Sequence, residues 1–244
     1  MSQPKERPIL FSGPMVRAIL AGTKVQTRRV IAPQPEVWNE ERLHGSPLLF
    51  AWKDKVNTPA NIAPYCMKRF CPYGEPGDRL WVRETFCIES NFNIDSDYQP
   101  PFDDGRPVKW TESTEYGDYW QQCHYRATDP TPELVGEDED DPGCRWRPSI
   151  HMPRWASRIT LEITEIRVQR VRDISGKDAL AEGVTLPEMA NGPADPTAEF
   201  AALWDSINEA RGYSWASNPW VWCISFKRIV QAEQSTAQPA RKAA

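Results

Sequence analysis

The twenty-three prolines in 244 residues constrain this chain more than any other feature. Proline lacks an N–H and fixes φ, so it borders helices and interrupts sheet interiors. Their wide spread excludes long uninterrupted elements and predicts short ones joined by rigid turns. Periodicity gives the order strand, helix, strand, strand, long strand, two helices, strand. With no regular alternation of strand and helix, that order predicts an α+β fold, a small β-barrel with short helices covering its ends. No internal repeat is present.

Local signals place the elements. Pro8–Phe11 reads as a strand. Ser12 or Gly13 caps a helix with Pro14 in its first turn and Met15, Val16, Ile19 and Leu20 on one face, and Gly22 stops it. Residues 23–30 read as a loop running into a strand, too polar for the core, and residues 36–70 mostly as loop. Residues 79–86 alternate as a strand, which puts Glu84 on the apolar face with Leu80, Val82 and Phe86. Ile159, Leu161 and Ile163 alternate, and the phase then shifts to Ile166 and Val168, as in a long strand with a bulge near Thr164–Glu165. Ser175 caps a short helix that ends at Gly183. Residues 196–211 read as a second helix burying Phe200, Leu203, Trp204 and Ile207, and residues 220–229 as a closing strand.

The formal charge of −5 hides an uneven distribution. Residues 85–150 hold 15 acidic and 5 basic side chains, residues 1–84 hold 8 and 13, and residues 151–244 hold 11 of each. The middle stretch therefore reads as an acidic, loop-rich insertion within one domain over residues 8–230, followed by a disordered tail over 231–244. Because the acidity is concentrated there, the net charge does not exclude a nucleic-acid partner. No apolar run is long enough to span a bilayer, and Met1–Arg7 lacks the apolar core of a signal peptide. A cytoplasmic protein with six reduced thiols and no membrane partner is expected.

Three features bear on chemistry. Lys24, Thr27, Arg28 and Arg29 form a compact basic motif: crowded cations lower a lysine pKa and free an amine to act as base, and Thr27 supplies a hydroxyl. The same motif is also compatible with a solvated loop on phosphate. Glu182 ends a short helix, where a carboxylate opposes the macrodipole. Glu84, on an apolar face, has to be paired or to have a raised pKa. Its alternatives are a buried salt bridge and a ligand contact. Among the eleven tryptophans, Trp81, Trp220 and Trp222 lie on the predicted strands and could stack on a flat base, or simply fill the core. The Cys and His spacings give no paired CxxC, and there is no phosphate-loop or dinucleotide fingerprint, so no metal or cofactor is expected.

The stretch Ile19-Leu20-Ala21-Gly22-Thr23-Lys24-Val25-Gln26-Thr27-Arg28-Arg29 resembles the signature of the ASCH domain family, relatives of the PUA RNA-binding fold. Pro76-Gly77-Asp78-Arg79-Leu80-Trp81-Val82, the strand over 158–171, the helix ending at Glu182 and the strand over 220–227 follow in the family's order. Arg83-Glu84-Thr85-Phe86, residues 148–155 and Asn218-Pro219-Trp220-Val221-Trp222 resemble ASCH proteins of phages and prophages. The resemblance implies a PUA-like barrel and a ligand related to nucleic acid. Some family members are amidohydrolases that deacetylate N4-acetylcytidine with a Lys, a Thr and a Glu, which fall on Lys24, Thr27 and Glu182. Substrate contacts would then come from Arg28, Arg29, Glu84, Trp81, Trp220 and Trp222. Arg28 departs from the pattern, standing where the small enzymes carry an apolar residue. The alternative implied function is a non-catalytic RNA, DNA or modified-base reader, or a ribonuclease.

Overall fold

The computed structural model describes residues 3–38, 49–53, 59–62, 71–90, 100–111, 119–132, 145–187 and 194–229. The elements are β1 (Glu6–Leu10), α1 (Gly13–Leu20), β2 (Gln26–Val30), β3 (Glu36–Trp38), β4 (Leu49–Lys53) and β5 (Pro59–Ile62). They continue with β6 (Arg79–Arg83), β7 (Phe86–Ser90), β8 (Val108–Thr111), β9 (Tyr119–Tyr125) and β10 (Thr160–Arg170). Last come α2 (Gly176–Ala181), α3 (Pro196–Asn208) and β11 (Trp220–Ile229). The mixed α+β class holds, and among the described residues no helix exceeds the 13 residues of α3.

Five strands form one sheet in the order β1-β6-β10-β11-β2, and two antiparallel sheets of three strands have the orders β3-β4-β5 and β7-β9-β8. The expected closed barrel is not formed: β1 and β2 are the two edges of the large sheet. Closure would require those edges to pair. Instead, an isolated bridge between Lys24 and Glu182, with the Val25 N–H donating to the Ala181 carbonyl, ties the approach to β2 to the end of α2. Residues 36–70, read as mostly loop, contain β3, β4 and β5. The stretch 85–150, read as loop-rich, contains β7, β8 and β9. These strands, of three to seven residues each, were not picked out by periodicity. The expected disordered tail lies outside the described residues.

The chain divides into two compact units, one of residues 1–7, 18–79 and 162–227, the other of residues 8–17, 80–161 and 228–244. Residues 8–230, read as one domain, are thus shared between both. In the first unit, Val171, Ile174, Ala179, Phe200, Trp204, Val221 and Cys223 form the core, with Val30, Val184 and Trp215 against it. The side chain of Asp195 caps α3 at the Thr197 N–H, and Pro196 begins the helix, where a missing N–H is harmless. Its buried positions are Phe200, Trp204 and Asn208, spaced by four, so Ile207 is exposed rather than buried. Asn208 satisfies its amide by donating to the Trp204 carbonyl. In β10 the exposed pair Thr164 and Glu165 separates buried Ile163 from buried Ile166, the phase shift expected from the sequence.

In the second unit, Phe86, Cys123, Tyr125, Met152 and Ala156 form the core, with Ile88 and Trp155 packed on it. Tyr125 buries its ring and donates its hydroxyl to the Ala156 carbonyl. Cys71, Cys123 and Cys223 are free, whereas Cys87 is disulfide-bonded, so the expectation of six reduced thiols fails there. Spacing alone carries no record of which cysteines meet. Among the described residues no helix is long and apolar enough to cross a membrane.

A buried Lys24–Glu182–Arg28 cluster as the candidate active site

Residues 23–30 are not the solvated loop their polarity suggested. Lys24, Gln26, Thr27 and Arg28 are all buried, and Lys24 is only 1 % exposed. Burying a cation without a partner is prohibitive, and each partner is present. The Lys24 Nζ donates to the Gln26 carbonyl at 2.9 Å, the Glu182 carbonyl at 2.8 Å and Glu182 Oε2 at 2.9 Å. An ammonium has three donors, and all three are used.

Glu182 follows α2 as its C-cap. The Ser175 hydroxyl accepts from the Asp178 N–H at the other end of that helix, as the capping pattern predicted. Gly183, with φ of +81°, turns the chain away. A Cβ there would lie 2.9 Å from the Lys24 Cβ and 3.0 Å from the Ala18 Cβ. Only glycine allows both this left-handed conformation and this close approach of Lys24. Gly183→Ala is expected to destabilise the protein by about 1–2 kcal/mol for the conformation alone, with the clash added, and thermal unfolding checks it. Unchanged stability would mean that Lys24 does not pack there.

Arg28 completes the cluster. Its NH1 donates to Gln26 Oε1 at 2.8 Å and to Glu182 Oε1 at 3.1 Å. Its NH2 donates to Asp178 Oδ2 at 3.2 Å and Gln169 Oε1 at 3.5 Å. Glu182 is therefore shared, one oxygen to each cation. Burial pulls the Lys24 pKa down; the charge and hydrogen bond of Glu182 oppose this, while Arg29 and Arg28 add to it. A lysine under that balance loses its proton more readily than one in water.

Thr27 is buried but stands apart from this cluster. Gln26 and Arg28 share one face of β2, where Ser225 and Cys223 oppose them on β11 and the Gln26 amide donates to the Ser225 hydroxyl. Alternation along the strand puts Thr27 and Arg29 on the other face, opposite Ile224 and Trp222. Arg29 is half-buried. Trp222 is 2 % exposed, which leaves a flat ligand no open face. The Arg170 guanidinium lies 4.3 Å from the Trp220 ring centre, so a cation occupies the stacking position there.

Glu84 and Trp81 belong to the second unit. Glu84 is 2 % exposed and bound bidentately by Arg158, Nε to Oε1 at 2.9 Å and NH2 to Oε2 at 3.0 Å. Burial pushes its pKa up, against the pull of Arg158. Arg158 also lies 4.0 Å from the Tyr125 ring centre and donates to the Thr128 hydroxyl. Thr128 in turn donates to Asp129, and Asp129 accepts from Arg106 at 2.6 Å. The buried salt bridge offered as an alternative for Glu84 is the arrangement found. Trp81 is half-buried, with the guanidiniums of Arg83 and Arg154 at 5.4 and 6.0 Å from its ring centre.

Sequence reasoning missed Gln26, Gln169, Asp178 and Arg158. Asp178 was legible only as a helix-capping residue, and Gln26 only by sitting two residues from both Lys24 and Arg28. Nothing in the sequence pointed to Gln169 or Arg158. Among the described residues no three Cys, His, Asp or Glu side chains gather as a metal site. Burial pushes the Cys123 and Cys223 thiols up to about 12, so neither offers a thiolate near neutral pH. Lys24 and Glu182 are thus a buried amine and carboxylate in direct contact, an arrangement suited to moving a proton.

Comparison with known proteins gives no match. No family model, no curated protein and no solved structure matches this chain.

Proposed function

We propose that this chain is an ASCH-type protein with a PUA-like ancestry that hydrolyses an amide on a modified cytidine, N4-acetylcytidine being the first candidate. The observation that carries this reading is the 2.9 Å contact between buried Lys24 Nζ and Glu182 Oε2. In the proposed reaction Lys24 is first deprotonated, the Thr27 hydroxyl oxygen attacks the amide carbonyl carbon, and its proton passes through water to the Lys24 amine. The C–N bond then breaks, and Lys24 or Glu182 returns a proton to the leaving amine of cytidine. Water hydrolyses the acyl ester on Thr27, which releases acetate and restores the hydroxyl. No cofactor is required by this sequence of steps.

Two observations favour a second reading, a non-catalytic reader of modified bases, RNA or DNA, or a ribonuclease. All three Lys24 donors are already committed, and Thr27 lies across β2 from the Lys24–Arg28 face. In that reading Arg29 is a ligand contact, and binding weakens steeply as salt rises. Incubation with N4-acetylcytidine, with cytidine followed by chromatography, separates the two. Release of cytidine is expected. No release, together with salt-dependent nucleic-acid binding, would replace the hydrolase by the reader.

A further inference from the structure

We infer that Arg28 is a positioning residue for Lys24: by holding one oxygen of Glu182, it weakens the grip of that carboxylate on the Lys24 amine. This rests on the reading of Lys24 as the proton-accepting group.

The geometry shows how much is committed to it. The Arg28 side chain is 0 % exposed and so is that of Lys24, while Glu182, at 4 %, is the buried carboxylate between them. Two buried cations on one buried carboxylate is an expensive arrangement. It is stabilised by acceptors from three elements: Gln26 on β2, Gln169 on β10, and Asp178 and Glu182 on and after α2. Gln169 is itself fixed, accepting from the Cys223 thiol at 3.3 Å. Asp178, 24 % exposed, gives Arg28 a second counter-charge and also lies 3.6 Å from the Arg167 NH2.

A carboxylate already compensated by a guanidinium stabilises a second cation less than a free one does. Among the described residues, the charged groups acting on Lys24 include Glu182, which favours the ammonium, and Arg29 and Arg28, which disfavour it. Arg28 works twice over: it repels the ammonium directly, and it shares the Glu182 charge. Planarity matters for the second effect, because a fork can reach Glu182 and Asp178 together and a point charge cannot.

The test is the pH titration of the Lys24 side chain by NMR in the full chain, with Lys24→Met for assignment. Arg28→Met leaves Lys24 and Glu182 as a balanced pair. It is expected to raise the Lys24 midpoint by about one pH unit, a tenfold change in proton affinity. Arg28→Lys keeps the charge without the fork, and a smaller rise in the same direction is expected. An arginine that serves stability alone would lower the melting temperature and leave the midpoint where it is, and that result overturns the inference. If Arg28→Met does not fold, an unchanged midpoint in Arg28→Lys decides in the same way. Cytidine release by the unmodified protein is scored separately. Its absence would remove the hydrolase reading, while a shifted midpoint would still establish the effect of Arg28 on Lys24.

Discussion

Glu182→Ala is expected to lower the unfolding free energy by about 3–5 kcal/mol, the range for leaving a buried charge without its partner. Two cations are involved here, not one. The side chains of Lys24 and Arg28 are 0 % exposed, and each loses a carboxylate oxygen at 2.9 and 3.1 Å. Arg28 keeps Gln26, Gln169 and Asp178 as acceptors. Among the described residues Arg28 still faces a carboxylate, Asp178, whereas the acceptors Lys24 keeps there are the neutral carbonyls of Gln26 and Glu182, so the larger share of the cost falls on Lys24. That assignment is checked by a double-variant comparison in urea. Adding Lys24→Met to Glu182→Ala is expected to recover part of the lost stability, since it removes the stranded ammonium. If the two losses simply add, the Lys24–Glu182 contact is not the one that matters.

Arg158→Met is expected to cost about 3 kcal/mol, at the low end of the range for breaking a buried ion pair. It strands the Glu84 carboxylate, which is 2 % exposed and loses both hydrogen bonds at 2.9 and 3.0 Å. It also removes the guanidinium from the Tyr125 ring and from the Thr128 hydroxyl. The cost stays near the low end because Glu84 has an escape. Burial already pushes its pKa up, and without Arg158 the carboxyl can take up a proton instead of remaining charged. The loss is accordingly expected to be larger at pH 8 than at pH 5, and adding Glu84→Gln should remove that pH dependence. A loss that is the same at both pH values would show that Glu84 is not the group left behind.

The two clusters differ in how far the sequence announced them. Glu84 was legible as a carboxylate on an apolar strand face, which has to be paired, but its partner Arg158 lies 74 residues away with no local signal. Lys24 and Glu182 came forward through the order of motifs, not through any periodicity. Polarity suggested solvent exposure for residues 23–30, and this failed because the polar groups satisfy one another inside the fold. The helix over Gly13–Leu20, the Ser175 cap, the strand over Trp220–Ile229 and the shifted phase of β10 were readable because each combines a period with a terminal signal. β3, β4 and β5 were not, because Leu49–Lys53 and its neighbours, of three to five residues, are too short for a period to stand out.

Cytidine release from N4-acetylcytidine, measured for the unmodified chain beside Lys24→Ala and Thr27→Ala, tests the proposed activity most directly. Lys24→Ala removes a buried partner of Glu182, so its thermal unfolding is measured alongside, and a loss of rate in the folded variant reports chemistry. The unmodified chain is expected to release cytidine, and each substitution to slow release by about a hundredfold or more, the scale for removing a general base or a nucleophile. No release by the unmodified chain, or undiminished release by Lys24→Ala, would contradict the account.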